Sequence, residues 1–267
     1  MFVTRLLSGI VLMLAAIAAL VLGGYVLYFV VVVLSLVGLF ELYRAAGLEK
    51  TLPAKLGYLF CLLLDVSLPA ENTELTLLIL VAALMCILAV YVIAYPKYQI
   101  GQVTLLLFGL FYVGLLLSYV YRVRGLEGGV YSVWLVFIGS WGSDTCAYCV
   151  GKLIGKHKLP SKLSPNKTIE GCLGGVIGAA LIGAIYAAVF TNQLSMFPSP
   201  VLAFAVIGSV SAVISQIGDL AASGIKRNYD IKDYGNLIPG HGGILDRFDS
   251  VIFIAPVVYY LITFVFL

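Results

Sequence analysis

Residues suited to phosphate chemistry are concentrated in one polar stretch, residues 223–249. Its 27 residues hold four of the chain's 16 Lys and Arg, four of its 13 acids and one of its two His. Three of the five residues at 239–243 are Gly, which permits positive φ and leaves backbone amides open to an anion. Apolar runs long enough to cross a bilayer flank the stretch on both sides. This composition predicts a membrane-surface site for phosphates and a divalent metal.

Acidic residues within apolar runs are the first candidates for that site. An ionised Asp at the centre of a membrane helix costs on the order of 3 kcal/mol, so such residues usually face a wet cavity or a partner. Asp144 and Asp219 are in this position. For Asp144 the alternative is a structural hydrogen bond to Ser140, Ser143 or Tyr148, or to a neighbouring helix.

Helical spacing favours Asp219. If its helix continues, Asp219, Ser223 and Lys226 share one face and deliver a carboxylate, a hydroxyl and an ammonium to one place. Asp246 and Asp249 share a face if the next helix begins just before them. Aspartates gathered near one point repel one another unless a cation lies between them, and hard oxygen ligands favour Mg²⁺.

The basic residues of the same stretch have two interpretations. Their side chains could neutralise a polyphosphate, or they could be the ordinary inner-leaflet cations of any membrane protein. His241 could likewise donate to a phosphate or serve as a structural hydrogen-bonder, and the turn that contains Gly242 and Gly243 could be a plain tight turn. The cations concerned are Lys226, Arg227, Lys232 and Arg247.

A second polar loop, residues 152–170, carries Lys167 and Glu170, which would lie one turn apart in a helix. Ser164 followed by Pro165 predicts a helix that begins there, with Ser as the N-cap and Pro in the first helical position. Glu170 is then either the ion-pair partner of Lys167 or a polar ligand. The loop lacks the Gly pattern of a Walker A motif.

The elements that must position these residues are membrane helices. The 267 residues are 62% hydrophobic and 11% charged, far from the roughly 25% charge of soluble domains. We expect an all-α, polytopic integral membrane protein with a single domain over 1–267, in which 1–130 form N-terminal helices and 131–267 the catalytic helices and loops. The nine expected spans are roughly 6–22, 25–43, 56–70, 76–95, 102–121, 131–151, 171–190, 201–222 and 250–267.

The distribution of basic residues predicts the orientation of these spans in the membrane. With a cytoplasmic N-terminus, 14 of the 16 Lys and Arg fall in cytoplasmic segments, among them Arg5 and Lys162, and only Arg122 and Arg124 fall outside. Both polar loops then face the cytoplasm, where a nucleotide is available. The spacings Gly151/Gly155 and Gly174/Gly178 favour close packing of helices within the chain over a dimer seam.

Through these motifs the chain resembles the phosphatidate cytidylyltransferases, also called CDP-diacylglycerol synthases. The resemblance covers residues 140–250, and the first 130 residues match only in hydropathy. Residues 164–171 resemble the family motif SPKKTWEG, with departures at Asn166 and Ile169, and Asp144, Tyr148 and Gly151 resemble D-x-x-A-Y-x-x-G, with a departure at Cys149. The long signature matches without departure at Ser223, Lys226-Arg227, Lys232-Asp233, Gly235, Pro239, His241-Gly242-Gly243, Asp246-Arg247 and Asp249.

The resemblance implies a membrane enzyme, usually a homodimer, in which phosphatidate and CTP give CDP-diacylglycerol and pyrophosphate. It implies Mg²⁺ held by Asp219 and Asp246, with Asp249 close by and Lys226 at the phosphates. We further expect Asp144 near the metal, a second cation such as K⁺, membrane lipid as a partner, no nucleic acid, and a cytoplasmic-membrane location. The alternatives are a CTP-dependent lipid-alcohol kinase of the polyprenol type and a non-enzymatic carrier of lipid phosphates or anions.

Overall fold

The structure, a computed structural model, describes residues 2–70, 72–160 and 163–266, with side chains from residue 7 onward. Lys162, one of the cations counted above, and the side chain of Arg5 lie outside the described residues. Helices account for nearly all of the regular structure, and the only β-pairings among the described residues are isolated bridges. The helices are α1 (Phe2–Leu22), α2 (Gly24–Ala45), α3 (Leu52–Ala70), α4 (Thr73–Ile93), α5 (Ile100–Gly125), α6 (residues 129–154), α7 (Ile169–Val189), α8 (Pro200–Asn228) and α9 (Leu245–Phe266).

Seven helices in the described part of the chain are long and apolar enough to cross a membrane. The two other expected spans correspond to α1, whose described apolar part is Leu7–Leu22, and to the interrupted helix α6. The all-α, multi-pass membrane architecture is therefore confirmed, and the approximate count of nine is consistent with it.

Helix α6 differs from the single uniform span that was expected. It consists of Gly129–Ser132, Trp134–Phe137, a π-helical turn at Ile138–Gly142, and Ser143–Ile154. Gly139 lies in the π turn, and a Cβ there would collide with Ser211 of α8. The absence of a side chain at Gly139 thus permits the close approach of α6 and α8, beside a widened turn of the kind often found at functional sites.

Side-chain caps fix several helix starts. Thr51 accepts a hydrogen bond from Ala54 N at 3.4 Å before α3, and Asn72 accepts one from Leu75 N at 3.1 Å before α4. Such caps satisfy amides that have no partner inside the helix.

The chain forms two compact units, and each consists of two separate stretches. Unit 1 comprises Met1–Tyr121 and Tyr229–Phe248, and unit 2 comprises Arg122–Asn228 and Asp249–Leu267. In unit 1 the fully buried Tyr43 donates its hydroxyl to Leu106 O at 2.7 Å. The expected single domain over the whole chain stays a prediction.

Small residues permit close helix packing in unit 2. A Cβ at Gly174 would lie 2.5 Å from Val150 Cβ, and one at Gly178 would lie 2.5 Å from Cys146 Cβ. These contacts join α7 to α6 within the chain, as the small-residue spacing favoured.

Candidate active site

Unit 2 contains a cavity of ≈ 450 Å³ whose wall is built by α6, α7 with the loop before it, and α8. Asp144 and Asp219, the two acids singled out within apolar runs, both line it. Gly151 and Gly171 line it as well, and their lack of side chains permits α6 and α7 to approach closely there, since a Cβ at Gly171 would lie 2.9 Å from Ala147 O. The other polar lining residues include Tyr148, Lys152, Asn166, Lys167, Thr168 and Gln216.

An ion pair joins Lys167 and Asp219 in this cavity. Lys167 Nζ lies 2.5 Å from Asp219 Oδ2, and the two side chains are 26% and 32% exposed. The pair is thus partly exposed and remains accessible to a ligand. A phosphate that enters the cavity can compete with Asp219 for the ammonium group, and a cation can compete with Lys167 for the carboxylate.

The loop before α7 determines where Lys167 points. Lys158 and Thr168 form an antiparallel bridge, and Leu159 N donates to Lys167 O at 2.9 Å. Thr168 caps α7, because its hydroxyl accepts a hydrogen bond from Gly171 N at 3.1 Å. The predicted start of this helix at Ser164 and Pro165 was therefore wrong, since the backbone up to Thr168 is held in the bridge.

Glu170 is not the partner of Lys167. Its Oε1 lies 2.6 Å from His157 Nδ1, and both of its carboxylate oxygens accept from the His157 amide at 3.2 Å. Glu170 therefore joins the start of α7 to His157 near the beginning of the loop, while Lys167 pairs with Asp219.

Helix α8 presents the predicted stripe of functional groups. It runs to Asn228, so Asp219, Ser223 and Lys226 do lie on one helical face. Ser223 is half-buried, and Arg227 is exposed in the last turn of the helix. The condition on which the stripe depended, that the helix continues past Asp219, is confirmed.

Asp249 belongs to the same group of charges in unit 2. It is only 7% exposed, and its carboxylate accepts a hydrogen bond from Ser250 N at 2.8 Å. It also interacts electrostatically with Asp219, Lys226 and Asp144. The cavity wall and its surroundings therefore combine mutually repelling carboxylates with ammonium groups, an arrangement that a cation and a phosphate would both stabilise.

The donor set suits a hard divalent ion. Among the described residues, no three His, Cys, Asp or Glu side chains are grouped closely enough to form a metal centre by themselves. Mg²⁺ typically takes only one or two protein carboxylates and completes its shell with water and substrate phosphates. Carboxylate and amide oxygens at the cavity meet that requirement.

For Asp144, hydrogen bonds to the two nearby serines are ruled out as a structural role. The buried hydroxyls of Ser140 and Ser143 have no hydrogen-bond partner, and Asp144 itself is exposed at the cavity wall.

The glycine-rich stretch forms a second concave site, which lies in unit 1. Its volume is ≈ 360 Å³. Gly240 and Gly242 have φ of 78° and 89°, so the turn requires glycine at both positions. The predicted candidates that line the site are Lys232, His241, Gly242 and Arg247.

Backbone hydrogen bonds close this turn. Ile238 N donates to Gly242 O, and His241 N donates to Ile238 O, both at 2.9 Å. Asp246 Oδ2 accepts from Gly243 N at 2.9 Å and from Tyr234 N at 2.8 Å. The amides of His241 and Gly243 are thus used inside the loop and are not available to an anion.

Asp246 begins α9, as expected, because the helix starts at Leu245. Its carboxylate, 7% exposed, joins the two ends of the loop through the bonds just described. A shared metal ion between Asp246 and Asp219 stays a prediction.

Sequence reasoning missed the residues of α1 and α2 that hold the loop. Ser8 Oγ lies 2.9 Å from His241 Nδ1 and donates to Pro239 O at 2.9 Å. Glu41 accepts hydrogen bonds from the amides of Ile244 and Leu245. An acid near the end of an otherwise apolar run was the available signal for Glu41, whereas nothing about Ser8 distinguished it.

Comparisons with known proteins show the family of this chain. A model of the Cytidylyltransferase family matches residues 3–265. The phosphatidate cytidylyltransferase of Bacillus subtilis (strain 168) is 32% identical over 264 residues, covering 97% of this chain and 96% of its own. That of Synechocystis sp. is 34% identical over 291 aligned residues, covering 97% and 95%. The match to the family model over nearly the whole chain shows that this protein belongs to the cytidylyltransferase family.

Proposed function

We propose that this protein transfers the cytidylyl group of CTP to phosphatidate, giving CDP-diacylglycerol and pyrophosphate. The observation that carries the proposal is the cavity of unit 2, where the Lys167–Asp219 ion pair offers both a cation for phosphates and a carboxylate for a metal. Relatives that are named for this activity and that match along nearly the whole chain support it.

The reaction needs little from the protein in proton transfer. The phosphate monoester of phosphatidate is already an anionic nucleophile, so no paired base is required to activate it. One of its oxygens forms a bond to the α-phosphorus of CTP, and the bond from that phosphorus to the β-phosphate oxygen breaks, which releases pyrophosphate. The difficulty is to bring two polyanions together, and positioned cations lower that barrier.

In this scheme, Lys167 releases Asp219 and binds a substrate phosphate. Lys226, which lies on the same face of α8 as Asp219, binds a second phosphate oxygen. Thr168 caps α7 and so keeps Lys167 at the cavity. The cationic pocket of unit 1, with Lys232, Arg247 and His241, binds a phosphate of one of the two substrates.

Asp219 and Asp249 would hold Mg²⁺, with Asp144 near it, and the resemblance adds Asp246. Magnesium would supply neutralisation of charge on the phosphates. The fit of a hard ion rests on the oxygen-rich wall of the cavity and on the repulsion of Asp249 by Asp219 and Asp144. A second cation such as K⁺ is part of the same proposal.

We place the cavity on the cytoplasmic side of a bacterial inner membrane. Support comes from the unequal distribution of Lys and Arg between the segments that join the spans, because the positive-inside rule sets such orientations. Membrane lipid would supply the diacyl chains of phosphatidate, and the basic loops would attract its headgroup. A homodimer is the proposed assembly, on family resemblance alone.

Labelled CTP tests the function directly. With purified protein in vesicles that contain phosphatidate, label from [α-³²P]CTP should enter the lipid extract, and label from [γ-³²P]CTP should appear in pyrophosphate. Label from the γ-phosphate in lipid would instead identify a lipid kinase. Binding or flux without CTP consumption would identify a carrier. Either result would overturn the proposal.

A further inference from the structure

Helix α2 carries a buried carboxylate that contacts the loop of unit 1. Glu41 is 2% exposed. Its Oε1 accepts from Ile244 N at 3.1 Å, and its Oε2 accepts from Leu245 N at 2.8 Å. These amides are at the start of α9, where the helix offers them no internal partner. Both oxygens of Glu41 are thus committed to one short piece of backbone.

Two glycines of the loop lie directly against this carboxylate. A Cβ at Gly243 would collide with both oxygens of Glu41, and one at Gly235 would lie 2.5 Å from Oε1. The loop therefore approaches Glu41 at two points that are eight residues apart. A side chain at either point would displace the carboxylate or the loop.

Arg44, one turn along the same helix, holds the other side of the loop. Its Nη2 donates to Tyr234 O at 2.9 Å, while Tyr234 N donates to Asp246 Oδ2 at 2.8 Å. Tyr234 is thus held through its carbonyl by α2 and through its amide by Asp246. Displacement of α2 or of the loop would also disturb the carboxylate of Asp246.

We infer that Glu41 and Arg44 are positioning residues for the transfer reaction, which fix the orientation of Asp246 and of the Gly240–Gly243 turn. The inference rests on the proposed function. It also gives a role to the first part of the chain, where the sequence offered only hydropathy. Neither side chain needs to touch a substrate, because each acts through the backbone that carries the groups discussed above.

The carboxylate is chemically specific for this task. Glu41 places one acceptor oxygen at each of the two amide donors, and Gln offers one oxygen and an NH₂ group that cannot accept. Glu41→Gln therefore keeps the volume of the side chain and loses one of two hydrogen bonds. Glu41→Ala would leave both amides buried without a partner, and so it risks misfolding. Glu41→Gln is the informative variant.

The kinetic test compares Glu41→Gln with the wild type and with Asp65→Asn in phosphatidate vesicles. Asp65 is a fully buried acid in α3 of the same unit, so it controls for a change from carboxyl to amide at a buried site. We expect kcat of Glu41→Gln to fall about 10- to 100-fold, and the Mg²⁺ concentration for half-maximal rate to rise about tenfold, as for partners that orient ligands. A smaller folded fraction would lower the rate without moving that Mg²⁺ concentration.

The structural test needs no substrate. Amide hydrogen exchange of the full chain in detergent should show faster exchange at Ile244 and Leu245 in Glu41→Gln, and unchanged exchange there in Asp65→Asn. Arg44→Gln should leave those two amides protected and accelerate exchange at Tyr234, because the link to its carbonyl is lost.

Unchanged exchange at residues 244–245, or a Glu41→Gln enzyme that keeps wild-type kcat and Mg²⁺ dependence, would overturn the inference. If the wild type itself fails to make labelled lipid, the proposed function fails, and the exchange experiment still decides whether Glu41 orders the loop.

Discussion

The Lys167–Asp219 pair provides the sharpest prediction, because stability and activity should respond very differently to its loss. The two side chains are 26% and 32% exposed, so solvent screens their attraction, and the pair contributes at most about 1 kcal/mol to folding. Its role in the reaction should be much larger. Removal of one donor that faces developing charge typically costs about 100- to 1,000-fold in rate, or roughly 3 to 4 kcal/mol.

Lys167→Met, Asp219→Asn and the double variant form a cycle that separates these effects. Thermal unfolding in detergent should shift by only a few degrees in each variant, whereas incorporation of α-label from CTP into lipid should fall by at least about 100-fold in both single variants. The double variant should be no more active than the less active of the two single variants, since each residue contacts a different part of the reacting complex. Lys97→Met makes the same chemical change at a Lys that packs on Tyr98, and it should keep its activity.

Recovery of activity in the double variant would refute this reasoning. It would mean that Lys167 and Asp219 serve only to neutralise each other, and that the cavity they line is not the reaction site.

Three further predictions follow from the backbone and from the proposed ion. Gly242→Ala should destabilise the turn by about 1–2 kcal/mol and reduce activity, because φ is 89° and the new Cβ would lie 2.9 Å from Asp246 Oδ2. At Gly224 a new Cβ would lie 3.7 Å from the Leu163 side chain, so Gly224→Ala should change neither thermal unfolding nor activity. Gly178→Ala should lower the thermal midpoint through overpacking worth about 1–3 kcal/mol, whereas Gly101→Ala, with nothing within 4 Å, should not. Chelation of divalent ions should abolish incorporation of label, Mg²⁺ should restore it, and full activity in chelator would contradict the proposed metal.

Membrane helices were predictable because their signal is simple. A bilayer demands about 20 apolar residues for each span, and every predicted span has a helical counterpart. The stripe on α8 was equally accessible, since helical spacing alone places Asp219, Ser223 and Lys226 on one face. Asp246 and Asp249 followed from the same rule once α9 began at Leu245.

The polar contacts between segments could not be predicted in the same way. Lys167 pairs with Asp219, whereas Glu170 pairs with His157, and the isolated bridge between Lys158 and Thr168 in the same loop leaves no periodic signal. Glu41 reaches amides about 200 positions away in the chain, a relation that no local pattern contains. The π turn of α6 was hidden for a different reason, because apolar composition does not distinguish it from an α-helix.

A density map of the protein with a non-hydrolysable CTP analogue and Mg²⁺ tests the central claim most directly. We expect phosphate density within hydrogen-bond distance of Lys167 Nζ, a cation at the carboxylate of Asp219, and loss of the direct contact between those two side chains. A nucleotide bound elsewhere, with the Lys167–Asp219 ion pair intact, would contradict the assignment of this cavity as the reaction site.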